Sequence, residues 1–181
     1  MSADGDGAGV VAFWREAGEE RWFAKDDAFD RQFRDLFLDL HMEVAARRHD
    51  GWMATAEGTL ALLILTDQFP RNAFRGTGHM YATDPLARFY ARHARLAGLD
   101  GQVEPALRVF FSLPFGHSEQ MADQDISVSI CAGIGEEVLR HADGHRDIIR
   151  RFGRFPHRNS VLGRVTTAEE AAFLAAGGFS G

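Results

Sequence analysis

Apolar positions along the chain recur at steps of three and four residues, and no segment sustains the period-two alternation of a half-buried strand. Phe13 and Trp14 mark a short helix over Val10 to Glu20. The next helix opens at Asp26 and Asp27, whose carboxylates suit the positive end of a helix, and runs to about Arg47. Phe29, Phe33, Leu36, Phe37, Leu40 and Val44 form its apolar stripe, and Asp50-Gly51 breaks it. Thr55 caps a third helix that ends near Gln68. Its Leu60 to Leu65 run is apolar on every side, which predicts a central, buried helix. Thr83-Asp84-Pro85 combines a capping side chain with proline in the first turn, and Gly98 closes that fourth helix after Ala97. Pro105 opens a helix ending near Pro114. A longer stretch from about Ser118 to His141 is weakened in its middle by Gly133 and Gly135. Gly144 to Phe152 is a further short helix, and Thr166-Thr167-Ala168-Glu169 reads as a capping box before Ala171 to Leu174. The fold class is therefore all-α: an irregular array of about seven or eight antiparallel helices without a fixed repeat period.

Composition narrows the setting. A chain of 181 residues is most simply one domain, expected over residues 10–181 after an acidic, glycine-rich and disordered Met1 to Gly9. That N-terminus has no basic region followed by an apolar core, so it is not read as a signal peptide. The formal charge of -6 argues against nucleic acid and anionic membranes as partners. Leu60 to Leu65 is far too short to span a bilayer. Cys131 stands alone, which excludes an intrachain disulfide. A cytoplasmic location is expected.

Two phrases of like composition carry the candidate chemistry. Asp67 to Asn72 reads DQFPRN, and Gly153 to Asn159 reads GRFPHRN. Each breaks an apolar stretch at Phe-Pro and then presents Arg and Asn, so each is expected at a helix junction. At the first, Asp67 and Arg71 are four apart, as are Gln68 and Asn72, and Arg71 and Arg75. Asp67 follows the buried run and needs a partner, for which Arg71 is the obvious choice. One reading is an ion pair that pins a helix corner. The other has Arg71 and Arg75 holding an anion by forked hydrogen bonds. The second phrase lies among Arg146, Arg150, Arg151, Arg154, Arg158 and Arg164. Such local basicity in an acidic chain suits a defined anion site, with Arg154 and Arg158 its best members and Arg146, Arg150 and Arg151 a solvated face.

A third group is His117-Ser118-Glu119. His117 and Glu119 suit acid–base work, metal ligation or capping. His141 and His145 have the spacing of two imidazoles on one helix face, but Gly144 intervenes and no further ligand follows, so no metal is assigned. Phe69 and Phe155 suit either a pocket wall or the core, and core is the commoner role. There is no nucleophile elbow, phosphate loop or dinucleotide fingerprint, and no motif names a cofactor.

Three ordered motifs, Leu65 to Gly76 (LTDQFPRNAFRG), Leu113 to Gln124 (LPFGHSEQMADQ) and Phe152 to Arg164 (FGRFPHRNSVLGR), resemble the bacterial family called domain of unknown function 924. The resemblance runs from about Val10 to Phe179. It implies an all-helical fold similar to tetratricopeptide-repeat arrays and no established activity. It marks Gln124 and Asn159, among others, as signature positions. The chain departs from the family pattern at Thr66, where an aliphatic residue is usual, and at Arg15, where a third aromatic is common.

These observations favour a polar pocket between helices, lined by both junctions and the His117 to Glu119 segment, that binds a small anionic molecule. Arg71, Arg154 and Arg158 would hold its carboxylate or phosphate, with Gln68, Asn72, Arg75, Gln124 and Asn159 as further binding groups. His117 or His157 would transfer a proton, with Asp67 or Glu119 orienting the imidazole. Hydrolysis and proton abstraction beside a carbonyl are the reactions such a site serves. The alternatives are a helical-repeat interaction module binding a protein partner, and a purely architectural network of buried ion pairs.

Overall fold

The computed structural model describes residues 7–180, and these contain helices and connecting turns but no strand. Met1 to Asp6, most of the segment expected to be disordered, lie outside the described residues. Gly7 is buried, and a helix has begun by Ala8. The chain forms two compact units, Met1–Arg75 with His79–Pro114, and Gly76–Gly78 with Phe115–Gly181.

In the first unit α1 (Ala8–Ala17) and α2 (Glu19–Trp22) are separated by Gly18, whose φ of 73° ends the single helix expected there. Asp26 caps α3 (Asp27–Ala45), accepting from the Ala28 and Phe29 amides. Its buried face differs from the predicted stripe. Phe29, Phe33 and Val44 are buried as expected, but Leu36 is exposed and the polar Asp30 and His41 take core positions. Thr55 caps α4 (Ala56–Leu63) through the Gly58 amide at 3.0 Å. Around α4 the aromatic core interlocks: Trp14 lies 5.3 Å from Phe33 and 5.5 Å from Phe110, and Phe33 meets Phe69 edge-on at 5.0 Å. Each such ring or Leu side chain, fully buried, contributes about 1.5–3 kcal/mol. Arg15, in place of the usual aromatic, projects outward and binds Glu57 at 2.7 Å and Glu104 at 2.8 Å.

The third predicted helix does not stop at Gln68. It continues through a π-helical turn, Ile64–Gln68, into α5 (Phe69–Ala73), with Pro70 inside the helical path. The cause is the amide hydrogen that proline lacks. The Phe69 amide reaches back five residues to the Ile64 carbonyl. The wider turn would offer Leu65 the Pro70 amide, which does not exist, and the ordinary α-turn would offer that same missing donor to Thr66. Side chains supply the bonds. His41 Nδ1 donates to the Leu65 carbonyl at 2.8 Å and the Thr83 hydroxyl to Thr66 at 2.6 Å, while Arg71 Nη1 adds a bond to the next carbonyl, Asp67, at 2.7 Å. Thr83 is thereby diverted from the capping role predicted for it. It precedes α6 (Asp84–Ala97) without a side-chain cap bond, while Gly98 closes that helix in the left-handed conformation as expected. A 3₁₀ turn, Pro105–Arg108, leads into α7 (Val109–Gly116), which passes through Pro114 instead of ending there.

In the second unit the predicted long helix is two: α8 (Met121–Cys131) and α9 (Glu136–Phe152), broken at residues 132–135. α9 also absorbs the short helix expected from Gly144, and Gly153 ends it at φ 69°. A single 3₁₀ turn, Pro156–Arg158, carries the second phrase. The capping box of α10 (Ala168–Ala175) is Thr167 with Glu170, one residue later than predicted. Ile148, Ile149 and Phe155 form a buried cluster flanked by Phe152 and Phe173.

Replacing Thr83 with Val keeps the shape but leaves the buried Thr66 carbonyl without its donor. The expected cost is about 1–3 kcal/mol, read as a lower urea midpoint with an unchanged m-value. An unchanged midpoint would refute the role given to this hydroxyl.

Candidate functional site

In the first unit the polar residues of the DQFPRN phrase are gathered onto carboxylates. Asp67 and Arg71 approach to 3.3 Å, as their spacing suggested, but the guanidinium fork closes more tightly on Asp84, at 2.8 and 3.1 Å. Burial works against the Arg71 charge, yet Asp67 and Asp84 outweigh it and raise its pKa above the ordinary value. Gln68 donates to the Asp67 carboxylate at 2.6 Å. Asn72 donates to Asp30 at 2.7 Å, and Arg75 binds the same carboxylate. Four of the expected anion-binding groups, Arg71, Arg75, Gln68 and Asn72, are thus engaged by Asp84, Asp67 and Asp30. A cleft of about 240 Å³ opens beside Asp30, lined also by Asp27, Arg31, Arg34 and Arg75. Its lining carries charges of both signs, and Arg34 donates to the Ala73 carbonyl at 3.2 Å.

In the second unit two carboxylates act as hubs. Glu119 accepts from the Phe155 amide at 2.8 Å and from Arg164 at 2.8 and 3.0 Å. Burial alone would raise its pKa, but Arg164, the Phe155 amide and the charge of Arg158 lower it. Glu170 accepts from Arg154 at 2.6 and 2.9 Å, from the Thr167 amide at 2.8 Å and from Asn159 at 3.2 Å. Gln124 is buried and donates to the Gly116 and Ser118 carbonyls, each at 2.7 Å. Of the solvated face that was predicted, Arg146 binds Asp143, Arg150 binds Asp147 and Arg151 binds Glu169.

His145, His157 and Arg158 are gathered around Phe155, and His117 lies beside His145. The His145 ring lies 6.3 Å from His117 and 5.5 Å from Phe155, the His157 ring lies 5.6 Å from Phe155, and the Arg158 guanidinium sits 4.5 Å over the Phe155 ring. Gly116 packs closely on Ser127, with His145 at ordinary contact distance. A Cβ there would meet Ser127 Oγ at 3.1 Å and His145 Nδ1 at 3.6 Å. His145 is pushed down to about 3, first by burial and then by the positive charges of His117, Arg158, His141 and His157. His141, four residues before it, is exposed. Among the described residues no group of three or more His, Cys, Asp or Glu side chains is placed to hold a metal ion. Among the same residues no helix is long and apolar enough to cross a membrane.

Sequence reasoning missed Asp30 and Glu170 as hubs and treated Asp84 only as a helix start. Long-range pairs leave no mark in local spacing. The position of His145 four residues after His141 did single it out, though for another chemistry.

Glu170 generates a pH prediction. Arg154 and the Thr167 amide hold its pKa at about 2, against an ordinary 4.5. A depressed carboxylate stabilises the fold above its unfolded value, and that contribution is lost as pH falls from 4.5 towards 2. Glu170→Gln is expected to be less stable at pH 7 and to converge on the parent protein in that window. Urea midpoints measured from pH 6 to pH 2 check this, and parallel profiles would count against it.

The comparisons with known proteins bear on the whole chain. No curated protein matches it. A solved structure of a protein of unknown function, ATU0120 from Agrobacterium tumefaciens, is 54% identical, with 94% of this chain and 97% of that one covered and a TM-score of 0.92. The family model described as Bacterial protein of unknown function (DUF924) matches residues 10–178. The motifs, the helices and both matches agree, and the chain belongs to this DUF924 family.

Proposed function

We propose that the second unit binds a small anionic molecule, bearing a carboxylate or phosphate, at the cluster of His117, His145, His157 and Arg158. The supporting observation is the gathering of His145, His157 and Arg158 about the Phe155 ring, with His117 beside His145. The nearby carboxylate Glu119 is already bound by Arg164 and the Phe155 amide. An anion at the cluster gains a charge-assisted hydrogen bond from a guanidinium and from any imidazole that takes up a proton. It also raises the affinity of His145 for a proton, so binding and proton uptake are linked. His117 or His157 then serves as the proton carrier for hydrolysis or for proton abstraction beside a carbonyl.

A tetratricopeptide-like interaction module would spread its recognition residues over an exposed groove. The burial of Arg158 beside the imidazoles favours the ligand reading instead.

The test is calorimetric titration with inorganic phosphate and with acetate at pH 7 and pH 5.5, alongside imidazole NMR. An anion favours the protonated imidazole, so affinity is expected to rise as pH falls. The His145 pKa is expected to move up from about 3 on saturation. Arg158→Lys keeps charge but loses the fork and is expected to weaken binding about tenfold. Failure of both anions to bind at either pH, or binding indifferent to Arg158→Lys, would refute the reading.

A further inference from the structure

The cleft of about 240 Å³ beside Asp30 belongs to the first unit. Asp27, Asp30, Arg31 and Arg34 of α3 line it together with Arg75. These charges fall into two groups. Asp30 and Arg75 are spent on each other. Asp30 is 8% exposed, takes Arg75 on both of its oxygens and also accepts from Asn72 at 2.7 Å. Asp27, Arg31 and Arg34 are not spent in this way. Asp27 and Arg31 are exposed and lie four apart on α3, where side chains share a face. Among the described residues they form no ion pair with each other and no side-chain hydrogen bond. Arg34 donates to the Ala73 carbonyl at 3.2 Å and sits 5.4 Å from the centroid of the Phe74 ring. Both of these partners are neutral, so they leave its charge without a counter-ion.

We propose that this cleft binds a free acidic amino acid, with the ammonium on Asp27 and the two carboxylates on Arg31 and Arg34. One cation and two anions match the three uncompensated charges in sign and in number. A simple anion would be set against Asp27, and a simple cation against two guanidiniums, and like charges so placed reject the wrong partner. Each guanidinium can hold a carboxylate by two parallel N–H bonds. The volume is below the about 300–1,000 Å³ of sites for drug-sized ligands, which suits a molecule the size of aspartate. Ala73 is the one apolar residue of the lining, so nothing there selects a hydrophobic ligand. The site is independent of the anion reading given for the second unit.

The experiment is calorimetric titration of the full chain at pH 7 and low ionic strength, where exposed charges are least screened. L-aspartate is compared with succinate, which lacks the ammonium, and with L-asparagine, which lacks the second carboxylate. L-aspartate is expected to bind about tenfold more tightly than either. Arg31→Gln is expected to weaken aspartate about tenfold. Asp27→Asn is expected to weaken aspartate and to tighten succinate, because it removes an attraction for the first and a repulsion for the second. Both side chains are exposed and unbonded, so the urea midpoints of these variants are expected to stay near that of the parent. No binding of aspartate to the parent, equal affinity for succinate or asparagine, or weaker succinate binding in Asp27→Asn would overturn the proposal. Aspartate binding that Arg158→Lys abolishes and Arg31→Gln leaves intact would place the ligand at the imidazole cluster and overturn the cleft alone.

Discussion

Pro70 has no amide hydrogen, and the architecture of the first unit turns on that missing donor. A proline in a helix interior ordinarily costs about 3 kcal/mol, from the lost bond and from the clash of its ring with the preceding turn. Here the turn widens to π geometry, and three successive carbonyls, Leu65, Thr66 and Asp67, receive His41, Thr83 and Arg71. Those donors come from α3, from the residue before α6 and from α5 itself. The bonds that repair the break therefore also tie the central helix to two of its neighbours. The same turn directs Arg71 onto Asp84, whose carboxylate lies at the start of α6. A helix defect has become a set of tertiary ties.

The second unit solves a similar problem with carboxylates. Its backbone from Gly153 to Thr167 is mostly 3₁₀ turn and irregular structure, with few ladder bonds of its own. Glu119 binds that segment at the Phe155 amide and at Arg164, and Glu170 binds it at Arg154, Asn159 and the Thr167 amide. Charge-assisted bonds of this kind are about twice as strong as neutral ones, which suits them to a loop without a sheet or helix to hold it. The rigid segment then presents His157 and Arg158 beside Phe155.

This division sorts the family's polar residues by physical role. Asp67, Gln68, Arg71, Asn72, Arg75, Glu119, Gln124, Arg154 and Asn159 bind other groups of the chain. The pKa of His145 is held down by its burial and by the neighbouring charges of His117, Arg158, His141 and His157.

Local sequence determined much of the helical inventory, because capping, periodicity and glycine stops act within one or two turns. Asp26, Thr55 and Gly98 mark their helix ends as predicted, and the apolar run Leu60 to Leu65 is buried as its composition requires. Sequence also singled out the two Phe-Pro phrases as the polar centres of the chain. Where a tertiary partner competed with a local rule, the local rule lost. Thr83 gave up its cap for the Thr66 carbonyl, Arg71 chose Asp84 over Asp67 as its closer partner, and the helix passed through Pro70 because distant side chains could serve the exposed carbonyls. The hubs Asp30 and Glu170, and the ring of Phe179 over the imidazoles, were decided by tertiary structure alone. Their partners are brought together by packing across tens of residues, and hydrogen bonds over such separations follow no periodicity that a single chain displays.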